Sequence, residues 1–198
     1  MAEISAKLVK ELREKTGAGM MDCKEALAAS GGDMVQAVDV LRKKGLATAQ
    51  KRAGRATSEG TIASYIHMGG KLGVMVEINC ESDFVAKNDA FQEFARNIAM
   101  HIAASSPLGV KPEDISDAVV AKEKEIYTAQ ARETGKPEKV IEKIVEGKLK
   151  KFFEDSCLMN QPYVRNPDIR VADLLNELIA KIGENISIKR FVRYQVGE

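Results

Sequence analysis

The chain has no tryptophan, and only three cysteines, two histidines and five prolines among its 198 residues; aromatic side chains make up 5%. Each shortage removes a class of explanation. His67 and His101 are the only histidines, and Cys23, Cys80 and Cys157 stand far apart, so no zinc-ligand spacing exists. The cysteines form no C-x-x-C pair. An odd number of separated thiols suits a reducing compartment, and the cytoplasm is the expected location. No apolar run approaches the ~20 residues that cross a bilayer, so no membrane partner is expected. The opening MAEISAKLVKELREK lacks the apolar centre of a secretory leader. Without export, the Asn185-Ile186-Ser187 sequon carries no meaning. An excess of one charge is missing too. Lys+Arg number 30 against 29 Asp+Glu, a formal net charge of +1. That balance argues against a nucleic-acid packager, though not against a local basic patch.

What is present is an ordinary globular composition, 44% hydrophobic and 30% charged. Ile4, Leu8 and Leu12 recur at helical spacing over residues 4–15, and Gly17 suits the left-handed residue after a helix. A second helix is expected from Met20 to Ala29, stopping at Ser30-Gly31-Gly32. Asp33 can cap a third, with Val35, Val38 and Leu41 on its apolar side and Gly45 at its end. Arg42, Lys43, Lys44, Lys51, Arg52 and Arg55 follow with no acidic residue between them. This stretch reads as a helix end and linker; it is either a solvated hinge or a surface for an acidic partner or nucleic acid.

From Thr57 the period changes. Residues 61–66 and 73–78 read as strands joined at Gly69-Gly70-Lys71, with Val74, Val76 and Ile78 on one face. Phe91, Phe94, Ala95, Ile98 and Ile102 make one helical stripe. Pro107 and Gly109 end it. A further helix is expected from Pro112 through Ile126. Another is expected after the Thr134–Pro137 break, carrying Val140, Ile141, Ile144, Val145 and Leu149. Residues 152–167 read as irregular. Leu174, Leu175, Leu178, Ile179 and Ile182 form a last helix, ended by Gly183. Ile186, Ile188 and Val192 alternate as a last strand. Helices and strands do not alternate regularly, so the class is α+β: a three-helix N-terminal bundle, then an antiparallel sheet with helices. The expected division is an N-terminal helical domain with basic linker at 1–55 and an α+β core at 56–198.

No catalytic constellation is present. There is no G-x-S-x-G, Walker loop or dinucleotide fingerprint. Gly17-Ala18-Gly19 precedes a helix but does not follow a strand, which leaves little case for phosphate binding. His101 sits on a helix beside Met100 and Ile102, where packing and contact roles are both open. The pattern is that of a binding protein, not an enzyme. One segment stands out: Asn79-Cys80-Glu81-Ser82-Asp83-Phe84-Val85, between the second strand and the long helix. Ser82 or Asp83 can cap the helix. Phe84 can pack inward or project as an anchor for a partner.

Four separated stretches resemble one family. They are Thr16–Lys24 (TGAGMMDCK), Glu81–Ala86 (ESDFVA), Glu146–Phe152 (EGKLKKF) and Lys181–Asn185 (KIGEN). In this order they are similar to bacterial translation elongation factor Ts, in its short form, and the likeness covers essentially the whole chain. The resemblance implies nucleotide exchange on GDP-bound elongation factor Tu, without enzyme chemistry, catalytic residue, metal or cofactor. It implies a ubiquitin-associated-like N-terminal bundle that docks on the partner's G domain near Met20 and Met21, side chains that could equally pack in a core. Ser82, Asp83, Phe84 and Val85 are implied to dislodge the partner's magnesium ion, with Asp83-Phe84 inserting beside it. His101, Ile182 and Gly183 are implied as further contacts, Gly183 being equally explained as a plain helix cap. Ser82 stands where the family usually has threonine, and Asn97 where a second histidine often occurs. A short member is expected to form a homodimer, with the helices of residues 113–151 among the candidate surfaces, and to bind no nucleic acid directly. The alternative is a nucleic-acid-binding module using residues 42–55.

Overall fold

A computed structural model describes residues 4–198, which pack as two compact units. The first comprises the chain up to Thr61, Asn79–Gln92 and Asp173–Ser187; the second comprises Ile62–Ile78, Glu93–Ala172 and Ile188–Glu198. The class is α+β as expected.

In the first unit, α1 (Ala6–Thr16), α2 (Met20–Ala29) and α3 (Met34–Arg52) form the helical bundle. Ser5 caps α1 by accepting from Leu8 N–H, and Gly17 closes it at φ 69°, donating to Arg13 O. Such a left-handed residue costs glycine little. Asp33 caps α3, its carboxylate accepting from Val35 and Gln36 N–H. Val9, Leu12, Cys23, Ala26, Leu27 and Ala37 make the bundle core, with Leu8, Val38 and Leu41 packed on it.

Two expectations for α3 need correction. Val35 is 70% exposed, and the buried line is Ala37, Gly45 and Ala49. Gly45 does not end the helix. It lies inside it, where an added Cβ would meet the Ala180 methyl at 3.4 Å. Its small size serves close packing rather than a stop, and the basic stretch is therefore mostly helix, up to Arg52.

The second unit holds most of a three-stranded sheet in the order β1-β2-β5: β1 (Glu59–Ile66), β2 (Leu72–Cys80) and β5 (Ile186–Gln195). The β1–β2 turn uses Gly69 and Gly70 at φ 89° and 68°, the paired left-handed geometry that suits a tight hairpin. On β2, Val74, Val76 and Ile78 are buried while Met75 is exposed, as the alternation predicted. On β5 the alternation slips. Ile186 and Ile188 are buried, but Val192 is exposed and Phe191 is the partly buried neighbour.

Helix α5 (Asp89–Ser105) buries the whole predicted stripe of Phe91, Phe94, Ala95, Ile98 and Ile102. The helix expected from Pro112 is divided: a 3-10 turn at Pro112–Asp114, then α6 (Asp117–Arg132) after Ser116. Helix α7 (Glu138–Ser156) starts after Pro137 and packs on α6 through Ala131, Ile141 and Val145. It runs through Phe152 and Phe153, so the start of the supposedly irregular segment is helical. The rest holds a short antiparallel hairpin, β3 (Pro162–Tyr163) and β4 (Asn166–Arg170). Pro162 and Pro167 hid it, being breakers by composition yet tolerated at edges. Helix α8 (Val171–Ile182), in the first unit from Asp173 on, ends at Gly183 with φ 91°.

Candidate functional site

The segment after β2 is built from the chain's own hydrogen bonds. Ser82 has extended backbone, φ −128° and ψ 156°, and caps a single helical turn, α4 (Asp83–Ala86). Its Oγ accepts from Val85 N–H at 3.4 Å. The same Oγ donates to Glu184 Oε1 at 2.7 Å, and Ser82 N–H donates to Glu184 Oε2 at 3.0 Å. The relation is returned across the two segments. Asn185 N–H donates to Glu81 Oε1 at 2.6 Å, and Asn185 Nδ2 donates to Arg55 O at 2.8 Å. Arg55 Nη1 reaches Glu81 Oε2 at 3.5 Å. At the far end of the turn Ala86 is buried, and its carbonyl accepts from Gln92 Nε2 at 2.6 Å.

The exposed side of the turn carries Asp83 and Phe84. Phe84 is 82% exposed, so the inward-packing alternative does not hold. Asp83 Oδ2 takes a hydrogen bond from Lys87 Nζ at 2.7 Å, one turn on. That bond and the ammonium charge hold the Asp83 carboxyl below its ordinary range and raise Lys87. Val85 is half-buried. Cys80, buried beneath the turn, donates to Ser82 O at 3.2 Å; burial first, then the Glu184 charge, pushes its thiol up to about 11.

The remaining sequence-derived positions scatter. Met20 and Met21, on the first turn of α2, are 57% and 65% exposed, so neither is a core side chain. The Asp22 carboxylate stands against Gly19 at that helix start, which disfavours an anion there. Ile182 and Gly183 are half-buried immediately before Glu184.

His101 requires a correction, because its ring is fully buried in the second unit and offers no surface for direct contact. Its Nδ1 accepts from Val164 N–H at 3.2 Å, which leaves Nε2 to donate to Gln161 Oε1 at 3.0 Å. Gln161 in turn donates to Asp155 O at 2.6 Å and Ser105 O at 3.4 Å. The ring is a structural hub, and burial holds its pKa below the ordinary value.

The basic stretch spends much of its charge internally. Arg42 pairs with Asp173 at 2.7 Å, and Lys44 is held between Asp22 and Glu25 at 2.7 and 2.6 Å. The Asp22 and Glu25 bonds raise the Lys44 ammonium well above its usual range. Cations already matched to carboxylates offer little to a phosphate backbone. Among the described residues no group of three or more metal-ligating side chains converges, and no helix is long and apolar enough to cross a membrane.

Glu81, Glu184, Asn185 and Arg55 were not singled out as site residues from sequence. Glu81, Glu184 and Asn185 lie within the family-like stretches, but nothing local indicates that Ser82 and Glu184, 102 positions apart, would meet.

The family model described as Elongation factor TS matches residues 49–198. Elongation factor Ts of Desulfosudis oleivorans is 65% identical over 198 residues, covering all of both chains. That of Desulfotalea psychrophila is 62% identical over 194 residues, 98% of each chain. That of Carboxydothermus hydrogenoformans is 60% identical over 195 residues, 98% of this chain and 90% of its own. The chain belongs to the elongation factor Ts family.

Proposed function

We propose that the protein is a guanine-nucleotide exchange factor: it binds GDP-bound elongation factor Tu and speeds GDP release by disturbing the partner's Mg²⁺ site with Asp83 and Phe84. The observation that carries this reading is a large aromatic ring, 82% exposed, on a turn fixed at both ends. An isolated ring held in water has no role in the chain's own stability, whereas aromatic anchors dominate interface energetics.

The physics is linkage. Mg²⁺ demands near-ideal octahedral geometry while bridging protein to phosphates. A ring that displaces the surrounding elements weakens the metal and with it GDP. Factor and nucleotide then oppose each other reciprocally. Each tenfold loss of nucleotide affinity needs about 1.4 kcal/mol of differential binding. Burial of one aromatic side chain, roughly 150–250 Å², supplies a few kcal/mol. No bond is made or broken, so no general acid, metal or cofactor of the factor's own is required. Asp83 stays ionised through its Lys87 pair and can act as a fixed charge.

In this reading residues 1–55 form the docking module. Met20 and Met21 lie on the surface facing the partner, their flexible thioethers adapting to it. Ile182 and Gly183 belong near the inserted turn, and nucleic acid is not a direct ligand. The factor works in the cytoplasm as a homodimer. Support for self-association comes from exposed apolar side chains on the strands of the second unit: Ile62 at 63%, Ile66 at 65% and Tyr194 at 73%. Val119 and Ile126 on α6 and Val140 on α7 expose less, 38–40%. Sedimentation equilibrium of the wild type and of Ile62→Glu decides this point; a monomeric wild type removes the dimer.

The decisive experiment for exchange follows fluorescent GDP leaving elongation factor Tu. Wild type should accelerate release, and Phe84→Ala should remove most of the acceleration. Full activity in Phe84→Ala refutes insertion of the ring.

A further inference from the structure

We infer that Glu184 is a positioning residue for exchange: its carboxylate grips Ser82 from 102 residues away and fixes the turn that presents Phe84. The inference rests on the exchange reading above and deepens it.

Helix α4 has four residues. Isolated helices shorter than ~12–15 residues are marginal in water, so its attitude must come from tertiary bonds. Phe84 itself contributes none of these, being 82% exposed. The C-terminal end of the turn is held by the buried Ala86 and its bond from Gln92. The N-terminal end is held by Glu184 through both Ser82 N–H and Ser82 Oγ, with the Cys80 thiol donating to Ser82 O beside it. Ser82 Oγ also accepts from Val85 N–H, so the rotor that caps the helix is the one oriented by the carboxylate. Without Glu184 the hydroxyl is free to turn, and cap and turn loosen together.

Glu184 is aimed in its own right. Gly183 precedes it at φ 91°, a conformation that side-chain-bearing residues rarely adopt. Asn185 follows it, tied to Glu81 and to Arg55 O. The two junctions therefore brace each other: Glu81 caps an N–H of the second, and Glu184 caps an N–H of the first. This gives Ile182 and Gly183 a role without direct contact, as the approach that points Glu184 at Ser82.

A preorganised anchor avoids the ordering cost on binding. A loosened turn presents the ring in only a fraction of molecules, and output falls by that fraction. Docking through α2 does not depend on the latch. The maximal exchange rate should fall while the half-saturating concentration stays nearly fixed.

The test measures fluorescent-GDP release from elongation factor Tu against factor concentration, for five full-length proteins: wild type, Phe84→Ala, Glu184→Ala, Glu184→Gln and the Phe84→Ala/Glu184→Ala double variant. With the competent fraction reduced, Glu184→Ala should lower the maximal rate about fivefold or more, with half-saturation within about twofold. Glu184→Gln should recover most of the rate. Its carbonyl can accept from Ser82 N–H, and its amide can donate to Ser82 Oγ. In the Phe84→Ala background the second substitution should add almost nothing, because residues acting as a unit are not additive. A Glu184→Ala protein with the wild-type rate overturns the latch. So does one that slows the Phe84→Ala background by the same factor as the wild type. Full activity in Phe84→Ala instead overturns the exchange reading itself, and the latch with it. Amide exchange guards against misfolding: Val85 and Ala86 should open faster in Glu184→Ala while Val76 and Ile78 on β2 stay protected. Equal acceleration at all four overturns the positioning role in favour of general destabilisation.

Discussion

A β-carbon built on Gly45 stands 3.4 Å from the Cβ of Ala180, so α3 runs past α8 with one methyl's width between them. Gly45 is buried in the interior of its helix, where glycine lacks the helix preference of alanine. Gly45→Ala places its methyl in ordinary contact with Ala180 and should gain ~0.5–1 kcal/mol of helix preference. That corresponds to a rise of about 2–4 °C at most in the thermal midpoint of a chain this size. Gly45→Leu cannot fit and should cost about 1–3 kcal/mol by overpacking. Calorimetry of both variants checks the pair. A gain on going to leucine would mean that the helices are not closely packed at this point.

The cap of the same helix gives a second expectation. Asp33 accepts from Val35 and Gln36 N–H at 2.8 and 2.9 Å. Asp33→Ala leaves two donors to water and should cost about 1 kcal/mol, while Asp33→Asn keeps an acceptor and loses only a few tenths. Urea midpoints read the difference. Equal loss in both variants would assign the effect to charge at the helix start rather than to the cap.

The stops and caps at Gly17 and Asp33 were legible because each is a local arrangement, decided within four residues. The stripe of α5 was legible because one period persists over its length. Gly45 was misread for the opposite reason: a glycine that ends a helix and a glycine that lets another helix approach look alike until Ala180 is known. The β3–β4 hairpin escaped because its two prolines imitate a loop. At the site, the sequence raised both fates for Phe84 without choosing between them. Burial of the turn is already supplied by Ala86 and the Gln92 bond, so the ring is not needed inside. The Ser82–Glu184 contact was out of reach of any local pattern, since it depends on how the chain returns after α8.

Cys80 should be inert as a nucleophile in the folded protein. Burial, then the Glu184 charge, raises its thiol from 9.0 to about 11. Thiolate is the reactive form, and at pH 8 a shift of this size leaves roughly a hundredfold less of it than in the unfolded chain. Alkylation at Cys80, located by mass spectrometry, should be at least that much slower in buffer than in urea. Glu184→Gln should speed it modestly, since one neighbouring charge is removed while burial, the largest cause, stays. A folded-state rate equal to that in urea would show the thiol reaching solvent.

His101 gives stability a pH dependence of defined sign. The ring is buried, with Nδ1 accepting from Val164 N–H, so protonating it would set one donor against another. Burial holds its folded pKa below the 6.5 of the unfolded chain, an effect only partly offset by the Gln161 bond. The unfolded state therefore takes up this proton first. Stability is complete above about pH 6.5 and declines as the pH falls through the interval down to the folded pKa. Urea midpoints at pH 7.5, 6.5 and 5.5 should fall in that order. His101→Asn should be less stable at pH 7.5, because Gln161 and Val164 lose their partner, and should show a flatter dependence between pH 6.5 and 5.5. If His101→Asn retains the full slope, other groups carry it and the ring is not what links proton uptake to unfolding in this interval.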